Sequence, residues 1–203
     1  MGKQFVITVG REYGSGGHEI AEALAKRLGI GFYDKTILEK IAEENNGEIE
    51  ELRKYDEVPK NAFLSRRILG YSNSPAEAVA NMQFDYIRKK VNSGESFVVV
   101  GRCAEVVLKE FPNLVSIFIL GDEEDKIARV AKLENVTSYE AKESMMRQDK
   151  KRKSYHNYYS GVKWGDSRGY NLCINSSKQP FEETVDILEA YVKMRVQLMN
   201  EIH

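Results

Sequence analysis

Four short runs of apolar residues constrain the fold of this chain more than any other feature of its sequence. They span residues 4–10, 95–101, 114–121 and 170–175, and stretches with helical patterns separate them. Runs with so little polar alternation are typical of strands that are buried on both faces of a parallel sheet. A shorter run at 30–34 predicts a fifth strand. The sequence therefore predicts an α/β fold, in which a parallel five-stranded sheet has helices on both faces.

Capping residues in the sequence also predict several helix boundaries. Gly29 is placed to end a first helix. The run Ser74-Pro75-Ala76-Glu77 combines an N-cap, a proline at the first helical position and a capping-box glutamate, which predicts a helix to about Asn92. A second capping box begins at Thr137. The last helix is predicted from about Phe181 to Ile202, with an apolar stripe of Val185, Leu188, Val192 and Met199.

Two segments depart from this alternation of strands and helices. The region 35–73 is charged and has no strand pattern, and the stretch 149–170 is polar and aromatic. We interpret both as insertions over one edge of the sheet. A length of 203 residues favours one domain over residues 1–203. Additional apolar residues on the last helix suit either a homodimer face or a helix that lies across the sheet.

The composition excludes several classes of partner. Thirty Lys and Arg residues stand against 31 Asp and Glu residues, so the net charge of −1 favours neither nucleic acid nor a membrane surface. Two cysteines without metal-type spacing predict neither a disulfide framework nor a metal site. We find no signal-peptide pattern and no apolar run near the ~18 residues that cross a bilayer. A soluble cytoplasmic protein is expected.

A glycine-rich turn joins the first strand to the first helix, in the stretch VGREYGSGGHEIAEAL at residues 9–24. Backbone N–H groups converge at such a turn and the helix dipole adds about half a positive charge, so it is a candidate anion site. The usual phosphate-binding loop ends in Gly-Lys-Ser or Gly-Lys-Thr, and its lysine reaches the β/γ-phosphates. Gly17 and His18 stand in those places here. The alternative is a plain strand-to-helix turn in which the glycines serve only packing and His18 is a surface residue.

Basic residues recur where this sheet would end. Gly101-Arg102 directly follows a strand, at the carboxyl edge where open α/β sheets bind ligands. Phosphoryl transfer needs cations around the phosphate oxygens, and such positions could supply them. The alternative is that the basic residues only form solvated helix faces. The other candidates lie further along the chain and are Lys126, Arg129, Arg147, Lys150 and Arg152.

The chain resembles the cytidylate kinase-like members of the P-loop nucleoside-monophosphate kinases over nearly its whole length. The resemblance rests on GREYGSGGHEIAEALAKRLGIGFYDKTIL, FVVVGRCAEVVL and DKKRKSYHNYYSGVKWGDSRGYNLCIN, in that order. It implies a P-loop NTPase-like three-layer fold. It also implies a monophosphate-binding insertion at about 35–92 and a lid-like segment at about 130–168.

The resemblance also implies roles for single residues. The donor phosphates of ATP would lie on the segment Gly14, Ser15, Gly16, Gly17 and His18. Asp34, Arg102, Asp149 and Arg152 would bind the acceptor, and the loop of Asn175, Ser176 and Ser177 would lie near the donor base. The cations expected to serve catalysis are Arg102, Lys126, Arg129, Arg147 and Arg152, and Arg11 is expected beside the donor phosphates.

Three departures from the family pattern bear on activity. Gly17 replaces the loop lysine, His18 replaces the magnesium-binding hydroxyl, and Cys103 replaces the aspartate of Gly-Arg-Asp. In an active enzyme the missing charge would come from Arg11, Lys126, Arg129, Arg147 or Lys150. Magnesium would enter with ATP and use water ligands or a carboxylate such as Asp34 or Asp122.

Three functions remain open at this point. The first is ATP-dependent phosphoryl transfer to a nucleoside monophosphate such as CMP or dCMP. The second is a non-catalytic module that binds a nucleotide or another anion. The third is a kinase for another small acceptor.

Overall fold

The structure is a computed structural model that describes residues 3–45, 49–57, 67–68, 71–72 and 74–201. Its strands, in chain order, are β1 (Val6–Arg11), β2 (Gly31–Tyr33), β3 (Arg67–Ile68), β4 (Tyr71–Ser72), β5 (Phe97–Val100), β6 (Leu114–Leu120) and β7 (Leu172–Asn175). The helices are α1 (Gly17–Leu28), α2 (Ile37–Asn45), α3 (Ile49–Arg53), α4 (Pro75–Asn92), α5 (Ala104–Val107), α6 (Glu123–Glu134), α7 (Ser138–Ser160) and α8 (Phe181–Glu201).

Five strands form one parallel sheet in the order β2-β5-β1-β6-β7. The strand β1 lies at its centre, with Val9 opposite Val100 of β5 and Ile117 of β6. The predicted fold class is confirmed, and each predicted apolar run contains one strand. The carboxyl ends of the strands meet at one edge, which brings Arg11, Asp34 and Arg102 to the same side of the molecule.

Neighbouring residues of β1 pack into two hydrophobic clusters on opposite faces of the sheet. Ile7 packs with Ile20 and Leu24 of α1 and with Val185, Leu188 and Val192 of α8. Val6 packs on the opposite face with residues of α2, α4 and α5. Because successive side chains of a strand point to opposite faces, this division shows that helices cover both sides of the sheet.

The helix signals were largely correct. The helix α4 begins at Pro75 after the N-cap Ser74, and α7 begins with a complete capping box between Thr137 and Glu140. At Ser74, however, the side chain does not accept the capping hydrogen bond. Gly29 ends α1 in the left-handed conformation, with φ of 65°. No helix among the described residues is long and apolar enough to span a membrane.

The structure shows which elements the two predicted insertions contain. The region 35–73 contains a strand pair, because β3 and β4 form a short antiparallel hairpin whose two-residue strands are too brief for a periodic pattern. The stretch 149–170 is mostly helix, since α7 runs unbroken to Ser160 and ends at Gly161. Its tyrosines pack against one another: Tyr155 is buried and its ring centroid lies 4.7 Å from that of Tyr159. Parts of the predicted insertion at 35–92 lie outside the described residues, so its role stays a prediction.

The last helix lies across the sheet. Its stripe of Val185, Leu188, Val192 and Met199 is buried in the core beside α1. Met194 and Leu198 remain exposed, with 51% and 41% of their surfaces accessible. A homodimer through this helix therefore stays a prediction.

Candidate active site at the carboxyl edge of the sheet

A cleft of about 310 Å³ opens at the carboxyl edge, directly over the glycine-rich turn. Its walls come from the end of β1, the start of α1, the end of β2, and helices α6 and α7. Among the predicted site residues, those that line it are Arg11, Gly14, Gly16, Gly17, His18, Asp34, Arg129 and Arg152. A smaller inner cavity of about 20 Å³ lies deeper, lined by Arg11, Arg102 and Arg152 among others.

The turn is held from below by Ser15. This residue is fully buried, and its hydroxyl donates to the Glu12 carbonyl at 2.8 Å and accepts the Gly17 N–H at 3.3 Å. Ser176 donates a 2.6 Å hydrogen bond to the Ser15 carbonyl. Gly14 and Gly16 adopt φ of 80° and 72°, which glycine reaches without strain. The Ser15 hydroxyl therefore fixes the shape of the loop, while the loop backbone faces the cleft.

Arg129 covers the turn from α6. It donates a 2.9 Å hydrogen bond to the Gly14 carbonyl. Its guanidinium lies so close to Gly16 that a Cβ there would be 2.7 Å from Nη1. Lys126, one turn earlier, is buried instead and pairs with Glu12 at 2.7 Å. Arg129 is thus the α6 cation at the cleft, whereas the charge of Lys126 is already compensated.

His18 and Asp34 form a pair in the wall of the cleft. The imidazole Nε2 lies 2.8 Å from Asp34 Oδ2, and the Thr36 N–H donates to Oδ1 at 2.8 Å. The hydrogen bond to Asp34 raises the pKa of His18, and the same bond lowers the pKa of Asp34. His18, which stands where the family has a hydroxyl, is thereby biased toward the imidazolium form.

Arg102 is buried against two carboxylates that sequence reasoning missed. Its Nη2 donates a 2.9 Å hydrogen bond to Asp56 Oδ2, and its Nη1 lies 2.7 Å from Asp56 Oδ1 and 3.2 Å from Glu57 Oε1. Burial opposes the charge of Arg102, but Glu57 and Asp56 outweigh it and raise its pKa. Both acidic residues stand in a charged stretch without a motif, so only their position in space reveals the contact.

The backbone at Arg102 is unusual. Gly101, Arg102 and Cys103 have φ of 75°, 60° and 52°, three left-handed residues in succession. The left-handed conformation costs roughly 1–2 kcal/mol for each non-glycine residue. This turn sends the Arg102 side chain inward, toward Asp56, and α5 begins immediately after it.

The helix α7 contributes unequally to the site. Arg152 lines both cavities, lies over the Tyr13 ring at 5.2 Å and approaches the Arg11 carbonyl at 3.4 Å. Asp149 accepts a 2.7 Å hydrogen bond from the Tyr13 N–H, and burial raises its pKa. Arg147 and Lys150 are exposed and do not line the cleft. Asp149 thus anchors the loop, and Arg152 is the α7 cation within reach of a ligand.

The C-terminal loop braces the edge of the site. Asn175 donates to Asp122 at 2.7 Å, and Ser177 accepts the Asp122 N–H at 2.9 Å. Asp122 also pairs with Lys178 and does not line the cleft, which leaves Asp34 as the nearer of the two carboxylates that we expected beside magnesium. The described residues contain no group of three or more His, Cys, Asp or Glu side chains placed to hold a metal ion.

Comparisons with known proteins place this chain in a family. The model of the cytidylate kinase-like family matches residues 6–178. An uncharacterized protein from Eubacterium ventriosum ATCC 27560 is similar in structure, with 38% identity, a TM-score of 0.75, and coverage of 94% of this chain and 99% of that one. No curated protein matches.

Two kinases of known name share the fold at low identity. Shikimate kinase from Bacteroides thetaiotaomicron is 12% identical with a TM-score of 0.56, over 93% of this chain and 98% of that one. A gluconokinase from Sinorhizobium meliloti 1021 is 16% identical with a TM-score of 0.55, over the full length of both chains. The resemblance recognised in the sequence is confirmed, and the chain belongs to the cytidylate kinase-like family.

Proposed function

We propose that this member of the cytidylate kinase-like family transfers a phosphoryl group from ATP to a small acceptor. The observation that carries the proposal is the glycine-rich loop at the start of α1, with Arg11, Arg129 and Arg152 around the same cleft. Phosphoryl transfer depends on positioning and on cations around the phosphate oxygens, and this cleft offers both. A bare anion-binding turn has no use for three arginines supplied by three different elements.

The donor side would use the loop and α6. Backbone N–H groups at the start of α1 point toward a bound anion, and the helix dipole favours negative charge there. Arg129 would add its charge over the same phosphates, since it already lies on Gly14 and Gly16. Asn175, Ser176 and Ser177 brace the loop near the expected base, with Ser176 tied directly to Ser15.

Magnesium would enter as a complex with ATP. Mg²⁺ commonly keeps several waters and uses only one or two carboxylates in addition to the substrate phosphates. Asp34 fits that pattern, because it lines the cleft and its pKa is lowered by His18, so it is a carboxylate at neutral pH. Bound there, the ion would neutralise charge on the phosphates of ATP.

For the acceptor, a nucleoside monophosphate of the CMP or dCMP type is the first candidate. Arg102 lines the adjoining inner cavity, and the family resemblance assigns the residue at this place in the chain to the acceptor phosphate. A hydroxyl compound without a phosphate is the second candidate. The contacts of Arg102 with Asp56 and Glu57 favour it, because these carboxylates already compensate the charge that a phosphate would need.

Turnover with a panel of acceptors tests the proposal. ATP and magnesium are mixed with CMP, dCMP, UMP, AMP, a set of polyols and sugar acids, or no acceptor, and phosphorus NMR identifies the products. CDP, dCDP or UDP, or with AMP two ADP for each ATP consumed, supports the first candidate, and a new phosphate monoester supports the second. Protein that binds ATP but phosphorylates none of these compounds would favour the non-catalytic module.

Variants of Arg102 separate the two candidates further. With a monophosphate acceptor, Arg102→Lys should raise the acceptor KM and leave the Kd for ATP nearly unchanged. Arg88→Ala is the matched control, because Arg88 lies on the exposed face of α4 and pairs with Asp85. A weaker affinity for ATP together with an unchanged KM for the acceptor would refute an acceptor role for Arg102.

A further inference from the structure

We propose that Arg11 replaces the missing loop lysine and contacts the phosphoryl group during transfer, and that Arg11 and a lysine at position 17 exclude each other. The inference rests on the proposed function and assigns the key cation of that site to a strand instead of the loop. With Gly16 and Gly17 in the Gly-Lys places, the phosphate-loop pattern G-x-x-x-x-G-K has its first glycine at position 11, where this chain has an arginine. The contact between Arg11 and Gly17 in space carries the proposal.

The exclusion is steric. A Cβ built on Gly17 would lie 2.6 Å from the Cβ of Arg11 and 3.2 Å from that of Ile119. Both atoms belong to side-chain roots that cannot swing away, unlike the tip of a flexible side chain. Any residue with a side chain at position 17 therefore requires position 11 to lack one. The loop lysine is therefore absent for the same steric reason that allows Arg11 to be present.

The Arg11 guanidinium lies beside the space between the donor and acceptor sides of the site. Its Nη1 rests against Gly101, in space that a Cβ on that glycine would occupy. The side chain lines both the cleft over the loop and the inner cavity beside Arg102. It therefore lies between the donor side and the acceptor side, which is the position that the phosphoryl group must cross.

The charge of Arg11 is poorly compensated by the protein. Among the described residues, its nearest carboxylate is that of Glu57, at 4.0 Å, and its buried Nε has no hydrogen-bond partner. Burial and the neighbouring Arg152 lower its pKa to about 9, although Glu57 opposes them. The side chain is still protonated at neutral pH. An anion in the cleft would supply the negative charge and the hydrogen-bond acceptor that this guanidinium lacks.

The other candidate cations are less suited to the role. Lys126 is held by Glu12, and Arg147 and Lys150 are exposed away from the cleft. Arg129 is anchored to the loop carbonyl of Gly14. Only Arg152 shares both cavities with Arg11, and it approaches from the helix that covers the site.

The test compares binding of ATP with binding of ADP, so that it does not depend on turnover. The difference between the two affinities reports contacts of the γ-phosphate. Arg11→Gln and Arg11→Met keep the Cβ and remove the charge, and either one that folds decides the result. We expect the preference for ATP over ADP to fall about tenfold or more, as for the loss of a charged hydrogen bond. Arg168→Gln is the control, since Arg168 is exposed and pairs with Asp166.

A lysine transfer tests the exclusion. Gly17→Lys alone should destabilise the fold, whereas Arg11→Gly combined with Gly17→Lys should fold and regain at least part of the ATP preference lost in Arg11→Gly. An unchanged ATP preference in a folded Arg11→Gln or Arg11→Met variant would overturn the role of Arg11. A folded double variant no better than Arg11→Gly would overturn the replacement.

Turnover then separates this inference from the proposed function. If the wild type phosphorylates an acceptor, Arg11→Gln should lower kcat about 10²–10³-fold, as for the loss of a fixed donor to transition-state charge. If the wild type phosphorylates nothing, the proposed function fails, and the ATP preference still decides whether Arg11 meets the γ-phosphate.

Discussion

Glu57→Gln is the perturbation that most directly tests the charge balance of the inner cavity. The Glu57 carboxylate lies 3.2 Å from Arg102 Nη1 and 4.0 Å from Arg11 Nη1, and only 16% of its side chain is exposed. Burial opposes its charge, but Arg102 and Arg11 prevail and lower its pKa from 4.5 to about 2. At 1.36 kcal/mol per pH unit, this difference corresponds to about 3 kcal/mol of stability.

The sign follows from the direction of the change. Because the pKa is lower in the folded state, the stabilisation is fully present above about pH 4.5 and is lost as the pH falls toward 2. Replacing Glu57 by glutamine removes it at neutral pH while keeping the size of the side chain. Urea unfolding at pH 7 should therefore show a loss of about 3 kcal/mol. Glu43→Gln, on the exposed face of α2, should change stability by less than about 0.5 kcal/mol.

Added anion provides a second measurement. Without Glu57, Asp56 still pairs with Arg102 and Asp149 still favours the charged form of Arg11, but Arg11 has no carboxylate within 4.0 Å among the described residues. Pyrophosphate should then bind more tightly and restore more stability to the variant than it adds to the wild type. A loss below about 1 kcal/mol, with stability that pyrophosphate does not change, would refute the view that Glu57 compensates these arginines.

Three further predictions concern the loop and its supports. Gly16→Ala and Gly94→Ala both place alanine at positive φ, 72° and 80°, and each should lower the free energy of unfolding by about 1 kcal/mol. Because the new Cβ at position 16 meets Arg129, only Gly16→Ala should also weaken ATP binding in calorimetry. NMR titration should give His18 a pKa above 6.5 that returns toward 6.5 in Asp34→Asn. The His18 pair should stabilise the fold below pH 6.5 and lose this effect as the pH rises through the raised pKa, with pyrophosphate binding weakening over the same range. Thr137→Ala should lower the free energy of unfolding by about 1 kcal/mol, because it breaks the capping box of α7.

The sheet could be predicted from sequence because its signal is local. Each buried strand is a short apolar run, and the parallel arrangement follows from the helices between them. The hairpin of β3 and β4 was not predicted, because two-residue strands are too short to show an alternating pattern. The C-terminal end of α7 was not predicted, because its charged and aromatic residues make contacts on several faces and therefore show no amphipathic pattern.

The site was predictable only in part, for a related reason. Position along the chain identified Arg102 at a strand end and the glycine-rich turn, and the resemblance to the family identified Asp34. It could not separate cations that face the cleft, such as Arg129 and Arg152, from those that do not, such as Arg147. That separation depends on helix rotation and on partners distant in sequence.

The position of Arg11 explains why this loop can differ from the usual phosphate loop and keep its shape. A loop lysine starts from the first turn of the helix and must extend across the phosphates. Arg11 starts from β1, the central strand, and is confined between Gly17 on one side and Gly101 on the other. A side chain at position 17 would meet the Arg11 Cβ and one at position 101 would meet its Nη1, although 84 residues separate the two glycines in sequence. A guanidinium fixed in this way is already ordered before a ligand arrives, so little conformational entropy is lost when it meets a phosphate. The same confinement makes the arrangement hard to change one residue at a time, because a side chain at either glycine displaces the arginine before any other cation can take its place.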